Sequence, residues 1–260
     1  MPFYHLVSDK EPDFVKGLYK PKTVAQFKAD LNVFLKYYEP ISLEEVIQYN
    51  KGEIKLLKPS FHLTFDDGLA NFHEIIAPIL KEKNIPATVF LNTAFVDNKD
   101  LFYRYKKVLK IQHATCNIQN FLKKEKPYLT LKQIKELQKQ GFTFGAHSVD
   151  HPLYANIDLT EQLKQTKDSL QWITDNLQEK YKAFSFPFYD TDVTKKFFKK
   201  MENYVDITFG TFGFKKDEIT TNLHRLDMEK STGKAKLFLI KEYLKLLPKK
   251  ILGKYKIIRK

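Results

Sequence analysis

Ser60-Phe61-His62-Leu63-Thr64-Phe65-Asp66-Asp67-Gly68 is a short apolar and aromatic run that ends in two adjacent carboxylates and a glycine. Residues 60–65 read as a buried strand closed by a turn. Two like charges at a strand's end repel, and folding gains nothing from them unless a cation or a shared proton offsets the repulsion. The plainer alternative is that one aspartate caps a helix expected at 71–83 and the other is solvated. Farther along, Phe142-Thr143-Phe144-Gly145-Ala146-His147-Ser148-Val149-Asp150-His151-Pro152 is a second short strand that runs into two histidines four positions apart. Two imidazoles and one carboxylate leave a coordination position open, the pattern of a catalytic rather than a structural zinc. Alone, His-x-x-x-His says little; beside an Asp-Asp pair at the end of another strand it points to a metal site.

Thr64-Phe65-Asp66-Asp67-Gly68 and His147-Ser148-Val149-Asp150-His151-Pro152 resemble the first two motifs of the polysaccharide deacetylases (carbohydrate esterase family 4, the NodB-homology domain), and the resemblance spans roughly residues 1–230. It implies an α/β fold, a deformed (β/α) barrel, and metal-dependent removal of acetyl groups from the sugars of a glycan substrate. By the same resemblance Asp67, His147 and His151 bind the metal and Asp66 is the general base. Zn²⁺ is the expected ion, although the ligand set also suits Fe²⁺, Co²⁺ or Ni²⁺. The family's third motif, usually Arg-x-Pro-Tyr, matches Ser185-Phe186-Pro187-Phe188, which makes the Phe188 N–H the oxyanion candidate. Ser185 stands where the family has the arginine that orients the base; Arg104 is the substitute the sequence suggests. For the general acid there are two candidates. His5 lies in Tyr4-His5-Leu6-Val7, which is similar to a branch acting on extracellular amino-sugar polymers, and His224 lies in Asn222-Leu223-His224, a poor match to the family's late motif. His5 is preferred, and His62, His73 and His113 are read as having local structural roles. The Ser185 departure also prompts an alternative: a catalytically impaired, glycan-binding relative.

A chain of 260 residues that is 43% hydrophobic fits one large domain with a substantial core. Its single cysteine, Cys116, excludes an intramolecular disulfide and fits a reducing compartment. No leader-like segment follows Met1 and no stretch approaches the roughly 20 apolar residues of a spanning helix, so a cytoplasmic protein is expected. The net charge of +13 is uneven: residues 232–260 carry ten Lys/Arg against one acid, Glu242, a local +9. Charge gathered at one end, with no recognition motif, argues against nucleic acid as a partner.

Strands expected near 3–7, 60–65, 87–91, at Phe142 onward into the two histidines, over 182–189 (strand then turn), and near 205–209 and 222–226 alternate with helical patterns near 24–38, 42–52, 71–83, 130–140, 160–178 and 192–203, the signature of βα units. Thr23, Ser42 and Thr130 are expected N-caps. An excursion at about 92–129, with basic and aromatic residues interleaved, is either a solvated helical insertion or a flap over a substrate. Residues 1–230 are thus expected to form the barrel, and 231–260 a basic amphipathic tail. Its helix is expected from about Thr232 to Leu247, stopped by Pro248, with Leu237, Ile240, Leu244 and Leu247 on one stripe. Such a helix either closes the barrel or lies peripherally on the inner face of an anionic membrane. The second role would suit an enzyme of lipid-linked envelope glycans such as lipopolysaccharide or capsule intermediates.

Overall fold

The structure, a computed structural model, describes residues 1–112, 117–231 and 233–260; Cys116, His113 and Thr232 lie outside them. Eight short strands run parallel in one sheet: β1 (Pro2–Tyr4), β2 (Leu63–Phe65), β3 (Ala87–Leu91), β4 (Thr143–Ala146), β5 (Ala183–Ser185), β6 (Ile207–Gly210), β7 (Asn222–His224) and β8 (Leu226–Asp227). Their spatial order is β7-β6-β5-β4-β3-β2-β1-β8, and every neighbouring pair is parallel. β7 and β8 are two halves of one strand, broken at Arg225. The first half pairs with β6 and the second with β1. The Arg225 N–H donates to the Gly210 carbonyl at 3.0 Å, and the next N–H, of Leu226, donates to the Met1 carbonyl at 2.8 Å. One bent strand therefore joins both edges, and the sheet curls into the nearly closed, deformed (β/α) barrel expected from the motifs.

Along β3, Ala87, Val89 and Leu91 belong to the main apolar core, whereas Phe90 packs with Phe209 and with Leu43, Val46 and Ile47 of helix α2 (Leu43–Lys51). This is the two-residue alternation of a strand buried on both faces. Helices α1 (Val24–Tyr37) and α6 (Leu131–Lys139), like α2, open on reciprocal capping boxes, at Thr23/Gln26, Thr130/Gln133 and Ser42/Glu45. The helix expected at 71–83 begins as a π-turn (Phe72–Ile76) and continues as α3 (Ala77–Glu82). Asn71 occupies its N-cap, so neither aspartate caps it.

The 92–129 excursion folds as α4 (Tyr103–Gln112) and α5 (Ile118–Glu125) around an apolar cluster of its own that includes Phe14, Leu101, Tyr105, Leu122 and Tyr128. Backbone bonds from Leu129 to Gly68 (2.9 Å) and from Ala70 to Pro127 (2.8 Å) fasten it beside the Asp66-Asp67 turn. It is a packed wall. After α7 (Leu159–Leu177) and α8 (Lys195–Met201), helix α9 (Ala235–Ile251) lies against the barrel through Ala235 and Leu246. It passes through Pro248 instead of stopping there, ending where the Leu252 N–H bonds the Pro248 carbonyl. The missing proline donor falls in the exposed last turns, where water can satisfy the freed carbonyl. The final residues are also tied down. Lys256–Ile257 pair with Lys216–Asp217, and the buried Arg259 guanidinium bridges Asp190 and Asp217. Residues 256–259 are thus fastened to the barrel, because a buried guanidinium requires the carboxylates it finds there.

Candidate metal and catalytic site

The strand ends after β1, β2, β4 and β5 converge on a cavity of about 360 Å³ whose walls include His5, Asp66, Asp67, His147, His151 and Phe188. Asp67 Oδ1 is buried without a hydrogen-bond partner. It faces His151 Nε2 at 3.3 Å and His147 Nε2 at 3.6 Å. These three atoms lie within 4.8 Å of one another and could hold a metal ion. An orphaned buried carboxylate oxygen aimed at two imidazole nitrogens fits a divalent cation: the donor set and the open side match, and the orphan gains a partner. Support from the surrounding shell is also in place. His147 Nδ1 donates to the Ser185 carbonyl at 2.8 Å, which leaves Nε2 as the free lone pair. The Tyr105 hydroxyl donates to Asp67 Oδ2 at 3.2 Å, occupying the oxygen that turns away from the cluster. His151 is clamped between the rings of Phe102 and Phe188, each 4.5 Å from its centroid. Burial pushes both imidazoles down, His151 to about 3, so both rings are neutral at pH 7, the form a metal ligand needs.

The backbone is strained at the same place. Asp67 (φ 71°), Ser148 (φ 69°), His151 (φ 63°) and Phe188 (φ 59°) are non-glycine residues in the left-handed region. Such outliers gather where function over-determines the conformation. Gly68 (φ 65°) continues the turn, and a Cβ there would lie 2.7 Å from Leu91 Cδ2.

Asp66 is gripped by a residue that the sequence did not flag. Arg225, fully buried in the barrel, donates to both Asp66 oxygens at 2.7 Å, to Ser185 Oγ at 2.6 Å and to Thr64 Oγ1 at 3.0 Å. Its guanidinium also lies over the Phe3 ring at 4.5 Å. Burial alone would raise the Asp66 pKa, but the Arg225 charge outweighs it and holds the carboxyl well below the usual carboxylate range. Arg104, the substitute suggested by the sequence, stacks on Phe188 at 4.4 Å and bonds Tyr103, at the exposed rim. It starts from the insertion rather than the barrel interior, and the hydrogen bonds to Asp66 among the described residues come from Arg225 and Ser185 instead. Ser185 therefore keeps its place in the motif as a ligand of the arginine instead of as the arginine.

The two histidines considered for proton donation separate cleanly. His5 lines the cavity, and its Nδ1 pairs with Glu229 at 2.8 Å while the other Glu229 oxygen takes the N–H groups of His5 and Leu6. Burial opposes the charged imidazole, but Glu229 outweighs it and His5 is pushed up to about 10. This pairing contributes stability that is complete below the unfolded pKa of about 6.5 and is lost as pH rises through about 10. NMR titration of the metal-free protein is expected to show His5 protonated beyond pH 8. In Glu229→Gln its pKa should fall, since burial is then opposed only by the weaker pull of Asp67 and Asp66. His224 is absent from the cavity wall. It is buried with Nε2 on Asp217 at 3.0 Å and Nδ1 near the Phe212 N–H. A Cβ at Gly210 would meet Asp190 and His224, so that glycine lets the cluster close. His62 bonds the Ile41 carbonyl and Thr88, and His73 pairs with Glu136, both local roles.

The chain is also similar to known proteins. Residues 54–205 match the family model described as polysaccharide deacetylase. A poly-β-1,6-N-acetyl-D-glucosamine N-deacetylase from Staphylococcus epidermidis is 26% identical over 205 residues, which is 71% of this chain and 63% of that relative. The chain thus matches less than two thirds of that relative's length. Among solved structures, a de-N-acetylase from Aggregatibacter actinomycetemcomitans shares the fold with a TM-score of 0.70 and 17% identity, covering 93% of this chain and 98% of that one. The Streptococcus pyogenes deacetylase PplD, solved with acetate, gives a TM-score of 0.67 at 20% identity, covering 91% and 95%. With both motifs in one cavity and the family model spanning more than half of its length, the chain belongs to the polysaccharide deacetylase family.

Proposed function

We propose that the chain hydrolyses N-acetyl groups on the amino sugars of a cell-envelope glycan or its lipid-linked precursor, with Zn²⁺ held by Asp67, His147 and His151. The observation that carries this reading is the orphaned Asp67 oxygen facing two neutral imidazoles, with Asp66 beside the cluster but tied to Arg225. The name of the staphylococcal relative supports an N-acetylated amino sugar as the substrate. When bound, the ion supplies Lewis-acid polarisation of the acetyl carbonyl and a lowered pKa for water. Asp66, kept ionised by Arg225, accepts the proton of the attacking water; its Oδ2 lies 4.0 Å from His147 Nε2, on the side of the cluster. The Phe188 N–H is the proposed donor to the developing oxyanion. The His5 imidazolium, oriented by Glu229, gives its proton to the leaving amine. Arg225 supplies the guanidinium whose absence from position 185 prompted the reading as an impaired binder.

Acetate release from N-acetylated amino-sugar oligomers by zinc-loaded protein tests this. His5→Gln is expected to lower turnover about 10²–10⁴-fold. His224→Gln should lower the melting temperature but keep turnover within a few-fold. No acetate from any such oligomer, or an equal loss in both folded variants, would contradict the assignment.

The tail carries a second proposal, peripheral contact with an anionic leaflet. On α9, Leu237, Ile240, Leu244, Leu247 and Ile251 form one stripe that the barrel leaves exposed, with Leu237 at 64% and Ile251 at 86%. Lysines flank it, and each contributes about 1 kcal/mol near an anionic surface. Among the described residues no helix is long and apolar enough to cross a membrane. Leu244→Asp/Leu247→Asp protein should stay in the supernatant when the native chain pellets with phosphatidylglycerol vesicles; equal pelleting would sink the idea.

A further inference from the structure

Beside the catalytic cavity lies a second, open trough of about 620 Å³ between the strand exits after β6 and β8 and one face of α9. Six lysines line it: Lys215, Lys230, Lys234, Lys241, Lys245 and Lys249. The opposing carboxylates in its walls are Asp227 and Glu242, and each is already engaged, with Lys230 at 3.2 Å and with Lys245 at 2.5 Å. Among the described residues, Lys215, Lys234, Lys241 and Lys249 have no carboxylate within salt-bridge distance. Four cations lining one concavity without a carboxylate of their own repel one another, and an anion seated there reduces that repulsion. The trough is not separate from the catalytic cavity: Thr211, Asp227 and Lys230 line both. At its other side it opens onto the exposed apolar stripe, since Leu237 belongs to both. A sugar pocket, a cationic trough and an apolar strip therefore follow one another along the surface.

We propose that the trough is a phosphate subsite, so that the substrate is an acetylated amino sugar bearing a phosphate or pyrophosphate, with the apolar part of its carrier directed along α9. This rests on the deacetylase reading for the sugar end, but the anion site itself follows from the lysines. Ammonium groups on flexible stems act as point charges, which suits the tetrahedral, rotationally tolerant phosphate better than a planar carboxylate.

The test uses the full chain and the variant Lys234→Glu/Lys241→Glu/Lys249→Glu, with the Gln version as a second variant if the first does not fold. Two zinc-loaded activity arms compare an N-acetylhexosamine 1-phosphate with its uncharged methyl glycoside. A third arm titrates inorganic pyrophosphate into the protein by calorimetry, and a fourth measures pelleting with phosphatidylglycerol vesicles. The native chain should favour the phosphorylated sugar at least tenfold in kcat/KM. The variant should lose that preference through KM, keep kcat and the methyl-glycoside rate, and no longer bind pyrophosphate. Equal kcat/KM for the two sugars in the native chain would overturn the proposal. So would an equal loss on both sugars in a folded variant, or a variant that loses only vesicle pelleting, which would assign the lysines to bilayer headgroups. If neither sugar is turned over, pyrophosphate binding that vanishes in the variant upholds the subsite while the deacetylase reading fails. Pyrophosphate binding that is absent from the native chain, or unchanged in the variant, rejects the subsite.

Discussion

Asp66→Asn is expected to lower kcat/KM for an N-acetylated sugar about 10²–10⁴-fold at neutral pH, the usual contribution of a positioned general base. The amide has the shape of the carboxylate but cannot take a proton from water. Because Asp67, His147 and His151 are untouched, metal affinity should change little, which separates loss of the base from loss of the ion. The substitution also leaves Arg225 buried without its counter-ion, so activity must be compared well below the variant's melting temperature. A folded, metal-loaded Asp66→Asn protein that retains more than about a tenth of native kcat/KM would remove Asp66 from the role of base.

The largest stability effect is expected at Arg225. Arg225→Met keeps much of the apolar stem against Phe3 but strands the Asp66 carboxylate inside the barrel, and breaking a buried pair in this way costs about 3–5 kcal/mol. Against a typical total of 5–15 kcal/mol, that is a large fraction of the fold's stability. Urea denaturation at pH 7 measures it. The sign of the pH dependence follows from the depressed Asp66 pKa. In the native chain the pair's contribution is full above the unfolded carboxyl value of about 4 and is lost as pH falls through the lower folded value. In Arg225→Met, burial acts without the guanidinium and raises the carboxyl, so the acid limb of kcat/KM should move toward neutrality. Arg225→Lys should fall between, since a point charge cannot span both oxygens. Native-like stability together with an unmoved acid limb in Arg225→Met would show that Asp66 is held by something else.

What could be read from sequence depended on how close together the chain places cooperating groups. Asp66 and Asp67 follow one strand, and His147 and His151 follow another, so each half of the metal cluster is a local motif whose spacing survives in the fold. The groups that tune those residues are remote. Arg225 lies 159 positions from Asp66, and Glu229 lies 224 positions from His5. Nothing in Asn222-Leu223-His224-Arg225-Leu226-Asp227 announces that the strand breaks at 225 and turns a guanidinium into the barrel; only the unexplained cost of the Asp-Asp pair hinted that a cation must come from somewhere. Tyr105 was visible as part of a basic-aromatic stretch, but its bond to Asp67 depends on how the insertion packs. The anchoring of the C-terminal segment was hidden for a related reason: its charge showed a basic amphipathic helix, but not that Arg259 meets Asp190 and Asp217, remote in sequence. His224, a poor match to the family's late motif, is taken up by that same buried cluster.

Asp190, Asp217 and His224 form a second group that could hold an ion by proximity, but Arg259 already supplies their cation. The most direct measurement is therefore a Co²⁺ titration of the metal-free chain, followed by visible absorption and stoichiometry. One ion per chain is expected, bound equally by native and Asp66→Asn protein and by neither Asp67→Ala nor His151→Ala. No binding at saturating Co²⁺, or binding that persists unchanged in folded Asp67→Ala, would contradict a metal centre at Asp67, His147 and His151.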